Sequence, residues 1–482
     1  MDKHKIISGV VWSFAERVSA QIVQFLVSIV LARILLPEDY GILALVNVFI
    51  VVANALAVGG FGTALVQKKD SNETDFNSIL WLSIAISVIL YLLLFVTAPF
   101  ISVFYEEESL TLIIRVLGLR LIFSAINSIQ LAYIQKTMQF KRLFLVSTLT
   151  AVFSGVAGIV VAIYGMGVWA LILQQLLYVV LNTGFLAAVT NWKPKFICSR
   201  KSIKTMWGFG SKVFLVTIVD TFNDNIRSLV IGKVFTESDL AYYNQGKRFP
   251  QLLVADGVES LSKVLLPALS QQQDNIEKNK QLMRNSIRIS SFILLPMIFG
   301  LIGVADVFIE LLLTEKWMPC VPFLRILSLM YINRSLSSIM KNSLLAIGKS
   351  EINLFHDIIT TILTILLIFA SAFYWQSIEL IAWSYVFVAL VDTSIYSYFV
   401  VREYRYKIKE ITRDYIPSLM LALSMALVVY IMNNLPLPLM IKLVLQILVG
   451  MTVYLGGAKL FKLQEYRYIS NIIKRTLNRN SR

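Results

Sequence analysis

The sequence predicts an all-α polytopic membrane protein with about fourteen transmembrane helices. Of its 482 residues, 57% are hydrophobic and only 15% are charged, and the mean hydropathy is +0.72. So few polar residues cannot cover the core of a soluble protein of this length. Apolar stretches of roughly 20 residues recur along the chain, each long enough to cross about 30 Å of hydrocarbon as a helix. Uninterrupted apolar runs such as Leu80–Leu94 lack the alternation of barrel strands.

The predicted spans follow one another with short connections. They cover residues 7–32, 41–66, 77–104, 109–134, 143–163, 168–190, 203–232, 240–268, 287–313, 321–347, 354–374, 378–401, 414–433 and 437–458. The first span contains Glu16 and Arg17 and is followed by many more spans, so we do not expect a cleaved signal peptide.

The basic residues predict the orientation of the chain. With the N-terminus in the cytoplasm, the inside segments hold 29 Lys and Arg residues and the outside loops hold three, namely Arg33, Lys233 and Lys316. This is a strong positive-inside bias, and an odd number of spans would destroy it. Both termini are therefore expected in the cytoplasm. The net charge of +15 is explained by topology, and no nucleic-acid partner is expected.

Two halves of the chain resemble each other. Trp12–Val18 matches Trp207–Val213, which pairs Arg17 with Lys212, and Leu31–Tyr40 matches Ile231–Leu240. A repeat of six spans, an even number, places both copies in the same orientation about an axis along the membrane normal. We therefore predict a lobe over 1–200, a second lobe over 201–410, and two additional helices with a basic tail over 411–482. A cavity between the lobes is the expected binding site.

Twelve basic residues lie within or near the ends of the predicted spans. A charge at the centre of a helix costs about 2.5–3.5 kcal/mol on insertion scales, so deep ones should face a cavity or a partner. They are Arg17, Arg115, Arg120, Lys212, Arg227, Lys247, Arg248, Lys263, Arg325, Arg334, Lys341 and Lys442.

The first span has a polar face along its length. Ser13, Arg17, Gln21, Gln24 and Ser28 share one face at helical spacing. Such a stripe indicates a water-filled interior, and hydrogen bonding between helices is the alternative.

Other spans carry similar groups. Lys212, Asp220, Asp224 and Arg227 fall on one arc of the seventh span, where Asp224 and Arg227 could instead neutralise each other. Three further alignments are Asp256, Glu259 and Lys263 in the eighth span, Arg120, Ser124 and Asn127 in the fourth, and Arg334, Ser338 and Lys341 in the tenth.

A cavity lined by such basic groups would suit an anionic phosphate or pyrophosphate and repel cationic drugs. Buried acids could couple transport to a proton or a sodium ion, and the candidates are Glu16, Asp220, Asp224, Asp256 and Glu259. The chain has only His4 and His356, with no close cluster of Cys and His, so neither a metal nor another cofactor is expected.

Four segments carry a resemblance to a known family: the first span with Trp12, the turn Leu35–Gly41, the stretch Gln135–Arg142, and Tyr164–Leu171 with Gln174. They resemble the polysaccharide transporter family. This is the Wzx-type branch of the multidrug/oligosaccharidyl-lipid/polysaccharide flippase superfamily, and the resemblance covers essentially the whole chain.

The resemblance implies two six-helix lobes, two added helices and alternating access. The implied activity is the transfer of undecaprenyl-pyrophosphate-linked oligosaccharide units across the bacterial inner membrane, for O-antigen, capsule or exopolysaccharide. The implied partners are membrane lipids, a polysaccharide polymerase and glycosyltransferases. Basic residues of the first, second, seventh and eighth spans commonly line the cavities of this family. The second span has none before Lys68, and the cluster Gly59–Gly62 predicts a bend there.

The predicted substrate-binding residues combine the resemblance with the polar alignments. They are Arg17, Lys212, Arg227, Arg248, Arg334, Arg120, Gln21 and Gln24. An exporter of soluble compounds on the same fold is the first alternative. A polysaccharide polymerase or other membrane enzyme is the second, but the longest outside loop has only about ten residues, and no catalytic triad or phosphate-binding glycine loop occurs. We therefore predict a transporter and not an enzyme.

Overall fold

A computed structural model describes residues 3–272, 275–468 and 470–471, with side chains outside the segments 3–7, 10, 208–216 and 255–264. Within these residues the chain forms no strand, and sixteen α-helices precede a short helical stretch at 464–468. In chain order they are α1 (Lys3–Ile34), α2 (Pro37–Val58), α3 (Phe61–Gln67), α4 (Glu73–Tyr105), α5 (Ser109–Gly118), α6 (Arg120–Thr137), α7 (Phe140–Ile163), α8 (Val168–Val189), α9 (Arg200–Val234), α10 (Glu237–Ser270), α11 (Ile276–Leu313), α12 (Cys320–Ala346), α13 (Ser350–Phe369), α14 (Ile378–Tyr404), α15 (Ile408–Ile431) and α16 (Leu439–Leu460).

The predicted class, an all-α protein with many membrane spans, is confirmed. In the described part of the chain, eleven helical segments are long and apolar enough to cross a bilayer. Three further long helices, α9, α10 and α12, lie where more polar spans are predicted. The count of fourteen is compatible with this structure and stays a prediction.

The chain divides into two compact units, which we call unit 1 (residues 1–241) and unit 2 (residues 242–482). Unit 1 contains α1 to α9 and the first residues of α10. In unit 1, α9 packs against α2, α3 and α4. The lobes 1–200 and 201–410 were inferred from sequence similarity, whereas the two units are defined by spatial compactness. The lobes therefore stay a prediction.

Local sequence signals fix several helix ends. Before α4, the Asn72 side chain accepts a hydrogen bond from the Asp75 amide at 3.0 Å, and Asp75 accepts one from the Asn72 amide at 3.1 Å. This reciprocal pair satisfies amides that have no partner inside the helix. Pro37 opens α2, where a missing N–H costs nothing.

The predicted bend in the second span is present. The helix breaks between α2 and α3 at Gly59 and Gly60, and Gly60 has a φ of 80°, which is unfavourable for residues with a Cβ. Just beyond the break, a Cβ on Gly62 would lie 3.3 Å from the Ser128 hydroxyl, so α3 lies close against α6. The bend thus shapes the wall of the cavity described next.

Candidate functional site

A polar cavity of about 410 Å³ lies in unit 1 between α2, α3, α6 and α8. We call it the unit 1 cavity. Its polar lining is Asn54, Thr63, Arg120, Ser124, Asn127, Ser128, Gln135 and Tyr178. Most of these groups are neutral donors and acceptors, so Arg120 supplies the positive charge of the lining.

Arg120 is held in the cavity by a neutral partner. Its Nη1 donates to the Gln175 Oε1 on α8 at 2.8 Å. Among the described residues no carboxylate forms an ion pair with Arg120. The guanidinium has five N–H donors in a planar fork, and one bond to an amide leaves its charge unneutralised. It can therefore bind an anion.

Tyr178 connects Arg120 to the first helix. Its hydroxyl makes a hydrogen bond with Gln24 and lies within electrostatic range of both Glu16 and Arg120. The structure thus brings together Arg120, Gln24 and Glu16, which the sequence analysis selected on separate spans. It adds Tyr178 and Gln175, which the sequence analysis missed.

A ladder of amides joins α6 to α8 beside the cavity. The Asn127 Nδ2 donates to the Asn182 Oδ1 at 2.7 Å, and the Gln130 Nε2 donates to the Thr183 carbonyl at 3.2 Å. These bonds lie between helices, where a polar group in hydrocarbon needs a partner. They fix α6, and with it the position of Arg120.

The other predicted residues of unit 1 are dispersed. Arg17 is exposed on α1, one residue after Glu16, and it forms no hydrogen bond or ion pair with a described residue. Gln21 is partly buried, and Asp220 and Asp224 are exposed on α9. Arg227 is only 3% exposed. The Arg227 side chain is thus buried on α9 and is absent from the lining of the unit 1 cavity, to which Arg120 belongs.

In unit 2, Arg248 is partly buried on α10, and Arg334 is exposed on α12 with its guanidinium 5.7 Å from the centre of the Tyr331 ring. The side chains of Lys212, Asp256 and Glu259 lie outside the described residues. Their predicted roles, like those of Arg248 and Arg334, stay predictions.

Unit 2 contains an apolar groove of about 610 Å³ between α10, α11, α15 and α16. We call it the unit 2 groove. Gln446 and Tyr454 are the polar side chains in its lining, and both are hydrogen-bonded within the protein. The Gln446 Nε2 donates to the Asn433 Oδ1 at 2.6 Å, and the Tyr454 hydroxyl donates to the Phe292 carbonyl at 2.9 Å. The groove therefore offers a ligand an apolar surface.

The arginines of α11 share a buried acid. Asp414 on α15 accepts from the Arg284 Nε at 2.7 Å and from the Arg288 Nε at 2.8 Å. The Tyr406 hydroxyl donates to the same carboxylate at 2.7 Å. Burial, followed by this bond to Asp414, raises the pKa of the Tyr406 hydroxyl, so it remains a donor.

The comparisons with known proteins agree with this architecture. The family model described as polysaccharide biosynthesis protein matches residues 30–322, more than half of the chain. The teichuronic acid biosynthesis protein TuaB of Bacillus subtilis is 25% identical over 391 residues, 80% of each chain. The lipopolysaccharide biosynthesis protein WzxC of Escherichia coli is 23% identical over 369 residues, 75% of this chain and 74% of that protein.

Among solved structures, the lipid II flippase MurJ in an inward closed conformation has a similar fold. The TM-score is 0.74, with 15% identity over 95% of this chain and 99% of that one. At this identity the likeness shows the fold alone. The family match covers enough of the sequence to go further: the chain belongs to the polysaccharide biosynthesis protein family, which confirms the resemblance to Wzx-type polysaccharide transporters.

Proposed function

We propose that this protein moves an undecaprenyl-pyrophosphate-linked oligosaccharide from the inner to the outer leaflet of the bacterial cytoplasmic membrane. The names of TuaB and WzxC refer to surface polysaccharides, and MurJ is described as a flippase for a lipid, lipid II; these names support the substrate class. A polymerase and glycosyltransferases of the same pathway would make and consume the substrate. Translocation makes and breaks no covalent bond.

The observation that carries this proposal is the charge of Arg120 in the unit 1 cavity. Its partner Gln175 is neutral, and a guanidinium binds a phosphate oxygen pair through two parallel hydrogen bonds. A diphosphate linker would be held there, while the hydroxyl and amide groups of the lining would bond a sugar. A cationic solute would be repelled by the same charge.

The unit 2 groove supports a lipid-linked substrate over a soluble one. Its apolar lining matches a prenyl chain, which packs there without needing a polar partner. A soluble oligosaccharide has no long apolar group that could pack against such a surface. The groove thus favours a lipid carrier over the alternative of a soluble-compound exporter.

Alternating access is part of the proposal, and contacts in unit 1 support a position for its outer gate. The Lys233 Nζ lies 2.9 Å from the Glu106 Oε1, and a Cβ on Gly41 would lie 1.9 Å from the Glu237 carbonyl oxygen. The hydrogen bond from Lys233 lowers the pKa of the Glu106 carboxyl, so the pair is charged at neutral pH. These residues lie at the predicted outside ends of α2, α4, α9 and α10. They would part when the site opens outward.

Reconstituted vesicles test the substrate class. The full chain is placed in liposomes that carry a fluorescent lipid-linked oligosaccharide, and a glycosidase is added outside. The accessible fraction should exceed that of protein-free liposomes and approach completeness. Liposomes loaded with the same oligosaccharide without its lipid should show no release. Release of the free sugar without flipping of the lipid-linked one would overturn the proposal in favour of a soluble-compound exporter.

Surface polysaccharide in cells tests the predicted basic residues. Arg17→Ala and Lys212→Ala should abolish the polymer while the protein remains in the membrane. Arg33→Ala is the matched control for the first of them, because Arg33 is an exposed arginine near the end of the same helix, at its predicted outer end. Normal polymer output from both variants would contradict their assignment to the binding site.

A further inference from the structure

A histidine in unit 2 lies between two carboxylates. His356 on α13 is 8% exposed, and its Nδ1 lies 2.9 Å from the Asp357 Oδ1. Its Nε2 lies 2.5 Å from the Asp392 Oδ1 on α14. The contact with Asp357 is a hydrogen bond, and the contact with Asp392 is an ion-pair contact that connects two helices.

This geometry specifies the number of protons on the ring. A neutral imidazole has one N–H and one lone pair, and a lone pair that faces a carboxylate oxygen is repelled. With both nitrogens against carboxylates, the favourable arrangement is an imidazolium with two N–H donors. In this form the cluster contains one proton more than a neutral histidine beside two ionised acids.

The surrounding groups are consistent with a bound proton. From α14, the Tyr396 ring stacks on His356 with the ring centres 4.5 Å apart, and its hydroxyl donates to the Asn353 side chain at 3.2 Å. From α12, Lys341 acts electrostatically on Asp357. One imidazolium and one ammonium balance the two carboxylates. The Asp357 side chain is 55% exposed, in contrast to the buried ring.

The location of the cluster ties the proton to helix packing. His356 lies six residues after the start of α13, about 9 Å along the helix. α13 packs on α14 and less extensively on α12. Since Asp357 is on the same helix as His356, the contact with Asp392 is the one of the two acid contacts that joins α13 to α14. Loss of the proton would leave that contact repulsive and weaken the packing.

We propose that His356, Asp357 and Asp392 form a proton-binding site whose occupancy controls the packing of α13 on α14, and that this proton is the coupling ion of the transporter. This site is separate from the acids selected in the sequence analysis, Glu16 among them. In the part of the chain that the structure describes, no group of three or more His, Cys, Asp and Glu side chains could hold a metal ion. The coupling role rests on the proposed function, whereas proton binding does not.

Nitrogen-15 NMR of the full chain in nanodiscs tests the binding site directly. The chain has two histidines, so in the His4→Gln protein His356 is the single imidazole that gives a signal. At neutral pH both ring nitrogens should carry protons, and Asp392→Asn should give a neutral ring with one N–H. Asp306→Asn is the control, because Asp306 is another membrane acid of unit 2 and pairs with Arg325. A neutral ring in the His4→Gln protein, or a charged ring that survives Asp392→Asn, would overturn the proposal.

Vesicles with a pH gradient test the coupling role. A gradient of one pH unit changes the equilibrium distribution of a substrate coupled to one proton by about tenfold. With the wild-type protein in sodium-free buffer, the pH gradient should change the distribution of the lipid-linked sugar by that factor. The His356→Gln protein should still flip the lipid, but the gradient should not change its distribution. An unchanged response in His356→Gln would overturn the coupling role. Failure of every protein to flip the lipid-linked sugar, with a charged His356 in the spectra, would instead count against the proposed function alone.

Discussion

The unit 1 cavity and the unit 2 groove differ in what they offer a ligand. The cavity presents hydroxyls, amides and the charge of Arg120. The groove presents apolar side chains, and its two polar residues, Gln446 and Tyr454, are already hydrogen-bonded inside the protein. The two sequence halves share a pattern of spans, but they do not share this chemistry. The repeat therefore predicts where helices lie. Which ligand each unit can bind depends instead on the polar and charged side chains that remain available in its cavity or groove.

Arginines show the same difference. Arg120 in unit 1 is bonded to a neutral amide and retains its charge for a ligand. Arg284 and Arg288 in unit 2 share the carboxylate of Asp414, and Glu410 and Glu465 lie 3.4 Å and 3.8 Å from them, so these charges are paired with acids. Removal of charge should therefore affect transport in one unit and stability in the other.

The largest effect is expected from Asp414→Ala. The Asp414 side chain is completely buried, and its loss removes the carboxylate that two guanidinium groups share, which costs about 3–5 kcal/mol. The thermal midpoint of the purified protein should fall sharply. Glu106→Ala is the control, because the Glu106 side chain is 81% exposed and an exposed ion pair contributes little. Equal midpoints for the two variants would contradict the assigned role of Asp414.

Arg120→Ala should be the next largest change, and it should act on transport. A hydrogen bond to a charged group contributes about 1.5–3 kcal/mol, which corresponds to roughly 10- to 100-fold in the flipping rate at low substrate concentration. The thermal midpoint should stay close to that of the wild type. Arg115→Ala is the matched control: Arg115 lies five positions earlier, and its guanidinium is 4.3 Å from the centre of the Phe95 ring, away from the cavity lining. Equal rates for both variants would remove Arg120 from the site.

Much of the fold could be predicted from the sequence because the bilayer restricts the choices. Backbone groups in hydrocarbon have to be satisfied internally, so long apolar runs become helices. The glycines at Gly59 and Gly60 marked a break because they tolerate backbone angles that other residues avoid. Charged residues such as Arg120 and Glu16 could be selected because a charge in an apolar span is costly and therefore indicates a cavity or a partner.

The neutral members of the site were missed because the search relied on charged residues in apolar spans. Gln175, Tyr178 and Asn182 lie at spacings of three and four on α8, a span without a charged residue, so only the spacing itself could have revealed them. His356 was considered only as a metal ligand, because its acid neighbour Asp392 is 36 positions away in the sequence. The unit 2 groove arises from the packing of four helices, and no single segment encodes it.

The smallest of the expected effects concerns the groove. Ile447→Trp adds bulk to the groove lining without adding a charge, and it should reduce flipping of a long-chain prenyl substrate several-fold by steric exclusion. Leu448→Trp is the matched control, because Leu448 is the adjacent residue on α16, is 54% exposed and does not line the groove. With a short-chain prenyl carrier the defect of Ile447→Trp should shrink, while that of Arg120→Ala should persist. A defect in Ile447→Trp that is independent of chain length would mean that the groove does not hold the lipid, and the division between a charge-binding unit 1 and a lipid-binding unit 2 would fail.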